Sequence, residues 1–322
     1  MQFLCGRNSK RVMKKVAFIF HGKVKGRDKL FAEIKNIFGA GYILEQLVTE
    51  RANHGLELSY QAAKNGATHI ICVGGDGSLN EVANGIMKAK AELPVSGQSD
   101  IYIGLLPKGT GNDFAKTIKV NFDITALKEF IDKDSYCEID LGLTEYTNHE
   151  NARATRYFIN ITDVGIGGSI SQRLVNSSKI LGPTLTYQKA IITELLLYKN
   201  QPLKVKADSF NHEGKVMNFI VANGKYFGAG LGIAPDAEPA DGLFAIVILG
   251  GISIFDYLKN LGSVRKCKKI EHPEVQYLSA SEVYIESSAG PLPIDMDGEF
   301  IGYSPMRVTI VPKALKFLGA TQ

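Results

Sequence analysis

The chain has 322 residues, 45% of them hydrophobic and 22% charged, with a formal net charge of +4. That length exceeds one small domain and fits two of ordinary size, and the composition is that of a water-soluble globular protein. The mild charge, with no Arg/Lys stripe interleaved with aromatics, argues against a dedicated nucleic-acid binder. No run reaches the ~18 apolar residues of a membrane span. The richest stretch, Leu243 to Phe255, is broken by Gly250-Gly251. Cys5, Cys72, Cys137 and Cys267 are far apart without a C-x-x-C pair, which points to a reducing compartment and no structural zinc. Leu4-Cys5-Gly6 has no hydrophobic run before it, Met13 is an alternative start, and a cytoplasmic location is expected.

In chain order, residues 1–141 alternate strand and helix. Val16–Phe20 reads as a strand, and Leu30, Phe31, Ile34, Ile37 and Phe38 mark an amphipathic helix closed by Gly39 and Gly41. Tyr42–Thr49 is extended, and a helix over Leu56–Lys64 ends at Asn65-Gly66. The β-branched run Ile70–Val73 precedes a glycine turn and a helix from Ser78 to Lys90. Ile101–Leu106, a helix over Ile124–Ile131, and Cys137–Leu141 follow. Such alternation predicts a mostly parallel sheet covered by helices, a Rossmann-like α/β domain. From residue 142 to 311 short extended runs dominate: Tyr157–Thr162, Leu203–Ala207, Lys215–Asn223, Leu243–Leu249, Glu282–Glu286 and Arg307–Val311. Asn211-His212-Glu213-Gly214 is expected to be a hairpin turn, and helices are expected over Thr186–Tyr198 and Ile254–Leu261. This half reads as an antiparallel, β-sandwich-type domain, with the tail 312–322 packing back onto the first domain.

Three clusters carry chemistry. Gly74-Gly75-Asp76-Gly77 lies at a strand-to-helix turn, where missing Cβ atoms let a ligand approach and helix-start amides face an anion. Asp76 fits such a turn if a metal cation accompanies the anion; Ser78 and Glu81 also spell a capping box that needs no ligand. Leu105-Leu106-Pro107-Lys108-Gly109-Thr110-Gly111-Asn112-Asp113-Phe114-Ala115 repeats the arrangement, and in a parallel sheet the two turns should be neighbours. Thr110 and Asn112 offer hydrogen bonds and Lys108 a positive charge. Finally, Asp236, Glu238 and Asp241 share one loop and Asp295, Asp297 and Glu299 another. Convergent carboxylates suit a hard cation or a proton acceptor, although acidic loops are also ordinary solvated turns.

With these residues in order, the chain resembles the diacylglycerol kinase catalytic family, bacterial soluble lipid kinases related to the sphingosine and ceramide kinases. The motifs GGDGSLNEVANGI, LPKGTGNDFA, Tyr157-Phe158-Ile159-Asn160, APDAEPADGLF and the late DGE stand in the family's sequence. The resemblance implies an NAD kinase/phosphofructokinase-like first domain, with ATP and Mg2+ bound between the domains. It assigns the phosphates to Gly74, Gly75, Asp76, Gly77, Ser78, Leu79 and Asn80, with Asp76 acting through magnesium. Thr49, Gly109 and Thr110 contact the nucleotide in the same reading. A structural magnesium falls to Asp241 with backbone oxygens of Glu238 and Leu243. Asp297 or Glu299 takes the proton of the lipid hydroxyl, Asp297 being favoured. One departure stands out: His21-Gly22-Lys23-Val24-Lys25-Gly26 occupies the place of the family's Asn-Pro-x-(Ser/Ala)-Gly turn.

The expected acceptor is a lipid alcohol, diacylglycerol first, which requires peripheral contact with a membrane surface. Arg265, Lys266, Lys268 and Lys269 form a basic cluster suited to anionic headgroups, and also to water. A homodimer is compatible with the chain. The rival readings are a soluble small-molecule kinase of NAD kinase type, and a non-catalytic nucleotide- or lipid-binding relative.

Overall fold

A computed structural model describes residues 13–92, 100–119, 123–177 and 183–319. The Leu4–Gly6 segment and residues 320–322 of the tail lie outside the described residues. The first half builds β1 (Lys14–Phe20), α1 (Arg27–Phe38), β2 (Tyr42–Val48), α2 (His54–Lys64), β3 (His69–Gly74) and α3 (Asp76–Glu92). It continues through β4 (Tyr102–Pro107), α4 (Asp113–Thr117), α5 (Ile124–Lys133) and β5 (Tyr136–Thr147). The second half begins with β6 (Arg153–Phe158), β7 (Ile161–Gly165), α6 (Ile166–Val175), α7 (Pro183–Leu197), β8 (Gln201–Ala207), β9 (Asn211–Val216) and β10 (Asn218–Ala222). It closes with β11 (Phe244–Leu249), α8 (Ile254–Arg265), β12 (Val275–Ala280), β13 (Glu282–Ser287), β14 (Pro293–Met296) and β15 (Glu299–Leu318).

β2, β1, β3 and β4 lie side by side in parallel, as the strand–helix alternation predicts. β3 is buried at every position, so its run of apolar residues needs no alternation. α1 turns Phe31, Ile34 and Phe38 inward, where Phe31 and Phe38 meet Phe18 edge-to-face at 6.1 and 5.7 Å. α2 crosses α3 closely enough that a Cβ on Gly85 would stand 1.9 Å from Ser59 Oγ. The glycine of the Asn-Glu-Val-Ala-Asn-Gly run therefore serves helix packing.

The second half is antiparallel, with a core of Phe158, Phe219, Phe244, Val283 and Met306 between its layers. A second apolar layer joins Ile220, Val247 and Leu249 of the sheet to residues of α6, α7 and α8 such as Ile166, Leu195 and Val264. β15 is common to both halves. It pairs antiparallel with β5, β13 and β14, and its end lies parallel to β4 through Lys316↔Tyr102 and Phe317↔Ile103. One continuous sheet results.

Several local expectations change. α3 starts at Asp76 rather than Ser78, because Gly75 O already accepts the Leu79 amide at 3.0 Å. Asn211–Gly214 lies inside β9, and the turn is Asp208-Ser209-Phe210, held by Asp208 accepting from Ser281 N and Oγ. The Lys215–Asn223 run divides between β9 and β10. The sequence gives no clear signal for α6 or β12: a Gly-Ile-Gly-Gly start hides the helix, and in Val275–Ala280 the adjacent Tyr277 and Leu278 break the apolar/polar alternation.

Asp163 on β7 faces Asp295 on β14 as a register partner, and both are buried. Asn218, in its satisfied amide orientation, donates to Asp163 at 3.1 Å. Burial raises the Asp163 carboxyl to about 7, and burial with the Asp163 charge raises Asp295 well above the ordinary range. Between about pH 4 and pH 7 the folded protein thus keeps a proton that the unfolded chain has released, so stability falls as pH rises through that window. Asp163→Asn is expected to flatten that fall in urea-unfolding midpoints, whereas a slope equal to the parent's contradicts the assignment.

Candidate active site

The parallel strands deliver their C-terminal ends to one edge. His21 N donates to Val73 O at 3.0 Å, and Lys108 N donates to Gly74 O at 2.8 Å. The turns after β1, β3 and β4 are thereby stitched together, and the two glycine motifs are neighbours. Their contact leaves no room for side chains, since a Cβ on Gly109 would stand 2.4 Å from the Gly75 Cα.

A cavity of about 370 Å³ opens along this edge, lined by His21, Lys23, Gly74, Gly75, Gly77 and Ser78 and closed by Glu81, Lys108, Gly109, Thr110 and Glu299. The first amides of α3 have no intrahelical acceptor and carry the positive end of the helix dipole. Lys23 and Lys108 add full charges. Amides, hydroxyls and two lysines around one opening offer the donors and charge a polyanion would need. Lys23 stands in the turn that departs from the family pattern, so cations remain where the usual Asn and Ser are missing.

Asp76 takes a different place from the one expected. Its oxygens accept from Asp113 N at 3.0 Å and Phe114 N at 3.1 Å, so it holds the start of α4. Burial raises its carboxyl, and the two amides oppose that shift. Ser78 and Glu81 form no capping box either. Glu81 accepts from Asn53 N and Gly55 N, both at 2.8 Å, and fixes α2 beside the cavity. Thr49 Oγ1 accepts from Gly22 N at 3.0 Å and pins the lysine-bearing turn without lining the cavity.

Leu79 and Asn80 are corrections of a plainer kind, being 0% and 1% exposed. Leu79 is core. Asn80 Nδ2 donates to Tyr157 O at 2.9 Å and to Asp297 Oδ2 at 2.8 Å, while Asn80 Oδ1 accepts from Arg156. One turn later, Asn84 exchanges hydrogen bonds with both the amide and the carbonyl of Tyr157. The helix after the glycine turn therefore grips the second domain.

Asp297 completes that grip. In addition to Asn80, its carboxylate accepts from Ile159 N, Asn160 N and Ile161 N at 3.0, 3.0 and 2.9 Å. Four donors occupy the positions a carboxylate offers. Burial still outweighs them, and the Asp297 carboxyl rises to about 6. Asp297 has φ 49, and with Gly298 at φ 85 it makes the tight β14–β15 turn. The preference for Asp297 as proton acceptor meets this obstacle: its lone pairs are already committed. Glu299, two residues on, lines the cavity and is held at 2.8 Å by Arg156. Arg156 carries no signal in the sequence, being one of two arginines just before the Tyr157–Thr162 run.

The Asp241 loop folds on itself. Asp241 Oδ1 accepts from Leu243 N at 3.0 Å, Glu238 O accepts from Ala240 N, and Lys225 pairs with the Glu238 carboxylate at 2.6 Å. Burial raises the Asp241 carboxyl, with Asp140 and Glu238 adding to the rise. No group of three His, Cys, Asp or Glu able to hold a metal occurs among the described residues. One carboxylate with carbonyl oxygens fits only an ion that keeps most of its waters, which is magnesium's habit.

The fold and this edge define a two-domain protein of the NAD kinase-like class, with a lysine-bearing, glycine-walled cavity at the domain junction. Residues 15–144 match the diacylglycerol kinase catalytic domain, and residues 162–319 match the YegS C-terminal NAD kinase beta sandwich-like domain. The chain belongs to the diacylglycerol kinase catalytic-domain family. It is 28% identical over 299 residues to a diacylglycerol kinase of Staphylococcus haemolyticus, covering 91% of this chain and 84% of that one. A diacylglycerol kinase of Staphylococcus carnosus is also 28% identical, over 302 residues and 91% of each chain. The crystal structure of a diacylglycerol kinase from Bacillus anthracis superposes with a TM-score of 0.66 at 19% identity, covering 95% of this chain and 96% of that one. That likeness concerns the fold.

Asn80→Ala removes one of the four donors of Asp297 and an acceptor of Arg156, hydrogen bonds to charged groups worth about 1.5–3 kcal/mol each, and leaves the Tyr157 carbonyl with Asn84 alone. The expected result is a protein destabilised by about 3 kcal/mol or more in chemical denaturation. A loss below 1 kcal/mol contradicts the role given to Asn80.

Proposed function

We propose that this protein is an ATP-dependent lipid kinase that transfers the γ-phosphate to the hydroxyl of a lipid alcohol, diacylglycerol being the first choice. The observation that carries this reading is the cavity in which two glycine turns, Lys23 and Lys108 face Glu299. The family names of the relatives support the lipid acceptor.

Phosphoryl transfer asks the protein mainly to position groups and neutralise charge. The amides of Gly75, Gly77 and Ser78 hold the phosphates, with Lys108 and Lys23 balancing their charge. Thr110 and Gly109 line the same opening and border the nucleotide. Magnesium bound with the phosphates would supply further charge neutralisation there, and Asp241 with the backbone oxygens of Glu238 and Leu243 would hold a separate, structural ion. The lipid hydroxyl oxygen attacks the γ-phosphorus from the side of the second domain. As that bond forms, the bond from γ-phosphorus to the bridging oxygen breaks and ADP leaves. The hydroxyl proton passes to the Glu299 carboxylate, which Arg156 orients. Asp76, Asn80 and Asp297 act by holding the walls of the cavity in register.

The test is transfer of radiolabelled phosphate from ATP to diacylglycerol in mixed micelles with magnesium. Lipid-dependent formation of phosphatidic acid is expected. Glu299→Gln should lower kcat by 10²–10⁴-fold with the fold intact, the range for removal of a positioned acid–base group. Magnesium-dependent ATP consumption indifferent to lipid overturns the lipid reading, and near-parental turnover of Glu299→Gln overturns its role. Lys108→Ala is expected to raise the KM for ATP at least tenfold; an unchanged KM removes Lys108 from the phosphate site.

A further inference from the structure

Ten large apolar side chains are exposed among the described residues, and six of them belong to three helices: Val175 on α6, Ile192, Leu196 and Leu197 on α7, and Phe255 and Leu258 on α8. Scattered exposed apolar residues need no explanation, but a concentration does. All three helices contribute to the same apolar layer over the second domain, through Ile166 and Ile170, Leu195 and Tyr198, and Tyr257 and Val264. Asn200, just after α7, donates to Gly250 O at 3.4 Å and ties that end to the approach of α8. The exposed residues thus occupy one side of the molecule.

Charge is sorted on the same side. At helical spacing Phe255, Leu258, Lys259, Arg265 and Lys266 share the outer face of α8, and all are exposed. Lys259, Arg265, Lys266 and Lys268 make no ion pair among the described residues, whereas Lys269 is taken by Asp236 at 2.6 Å. A face of apolar side chains followed by unpaired cations matches the interfacial zone of an anionic bilayer, with hydrocarbon below and phosphate above. A second copy of the chain suits it poorly, since a two-fold axis would set these cations against one another. α6 also reaches the active-site hairpin. Gln172 donates to Tyr303 on β15 at 2.9 Å, and Gly168 lies against the Pro293 carbonyl.

We propose that the outer faces of α6, α7 and α8 form the surface by which this protein docks on anionic lipid bilayers, with Phe255 and Leu258 inserting and Lys259, Arg265, Lys266 and Lys268 meeting lipid phosphates. The proposal builds on the lipid-kinase reading by naming the surface from which the acceptor is drawn.

Flotation with vesicles of phosphatidylcholine, with and without phosphatidylglycerol, tests it. Binding is expected on the anionic vesicles and should weaken in high salt. Each cation near the surface is worth about fivefold, the equivalent of ~1 kcal/mol. The quadruple variant K259A/R265A/K266A/K268A should therefore lose at least a hundredfold in partitioning, and F255S/L258S about tenfold. All six side chains are exposed, and an unchanged melting temperature confirms the fold of both variants. Parental partitioning in either variant overturns the proposal, as does absence of binding by the parent. A shift from dimer to monomer in F255S/L258S with vesicle binding intact also overturns it, in favour of self-association. Turnover of a short-chain diacylglycerol dissolved as monomer separates the two readings. Retained transfer without vesicle binding leaves the kinase and removes the surface, and vesicle binding without transfer to any lipid does the reverse.

Discussion

The Asp297 carboxylate, received by three consecutive amides at Ile159–Ile161 and by Asn80, is the interaction on which the site depends. It sits where the chain leaves β6, bends and enters β7, a bend whose amides no strand partner satisfies. A carboxylate answers them because it is a stronger acceptor than a carbonyl. Its buried position costs enough that the group titrates near 6, so the four donors limit the cost without erasing it. Loss of either side would leave buried polar groups unpaired.

From that contact the rest of the junction follows. Asn80 and Asn84 lie one turn apart on α3 and both reach Tyr157, so the helix that begins at the phosphate edge is also the helix that holds the second domain. Asp113 supplies a parallel tie by accepting from Ala229 N at 2.9 Å. Glu299 follows Asp297 by two residues and leans on Arg156, which leans on Asn80. The same side chains therefore set both the domain arrangement and the position of the proposed proton acceptor. β15 adds a covalent version of this coupling by running from the Glu299 turn back to β4.

Much of this was legible from residue spacing. Apolar periodicity located the strands and helices of the α/β half, and the glycine clusters located the edge where they converge. Roles were less legible than places. Asp76, Ser78 and Glu81 look like ligand and capping residues in a linear reading. In space they are spent on α4, the first turn of α3 and the start of α2. Asn80 reads as a phosphate contact until its burial shows that it faces the other domain. Long-range partners decide such cases, and a sequence does not list them. Arg156 and the turn at Asp208–Phe210 were missed for the same reason. In the second domain, half-exposed strands such as β12 lack the clean apolar/polar alternation that periodicity needs.

Hydrogen exchange measures the Asp297 contact directly. The amides of Ile159, Asn160 and Ile161 are predicted to exchange only through global unfolding, as slowly as those in the middle of β3, in the protein without nucleotide. They should lose that protection in Asp297→Ala. Rapid exchange of these three amides in the parent protein, with β3 still protected, would contradict the claim that this carboxylate joins the domains.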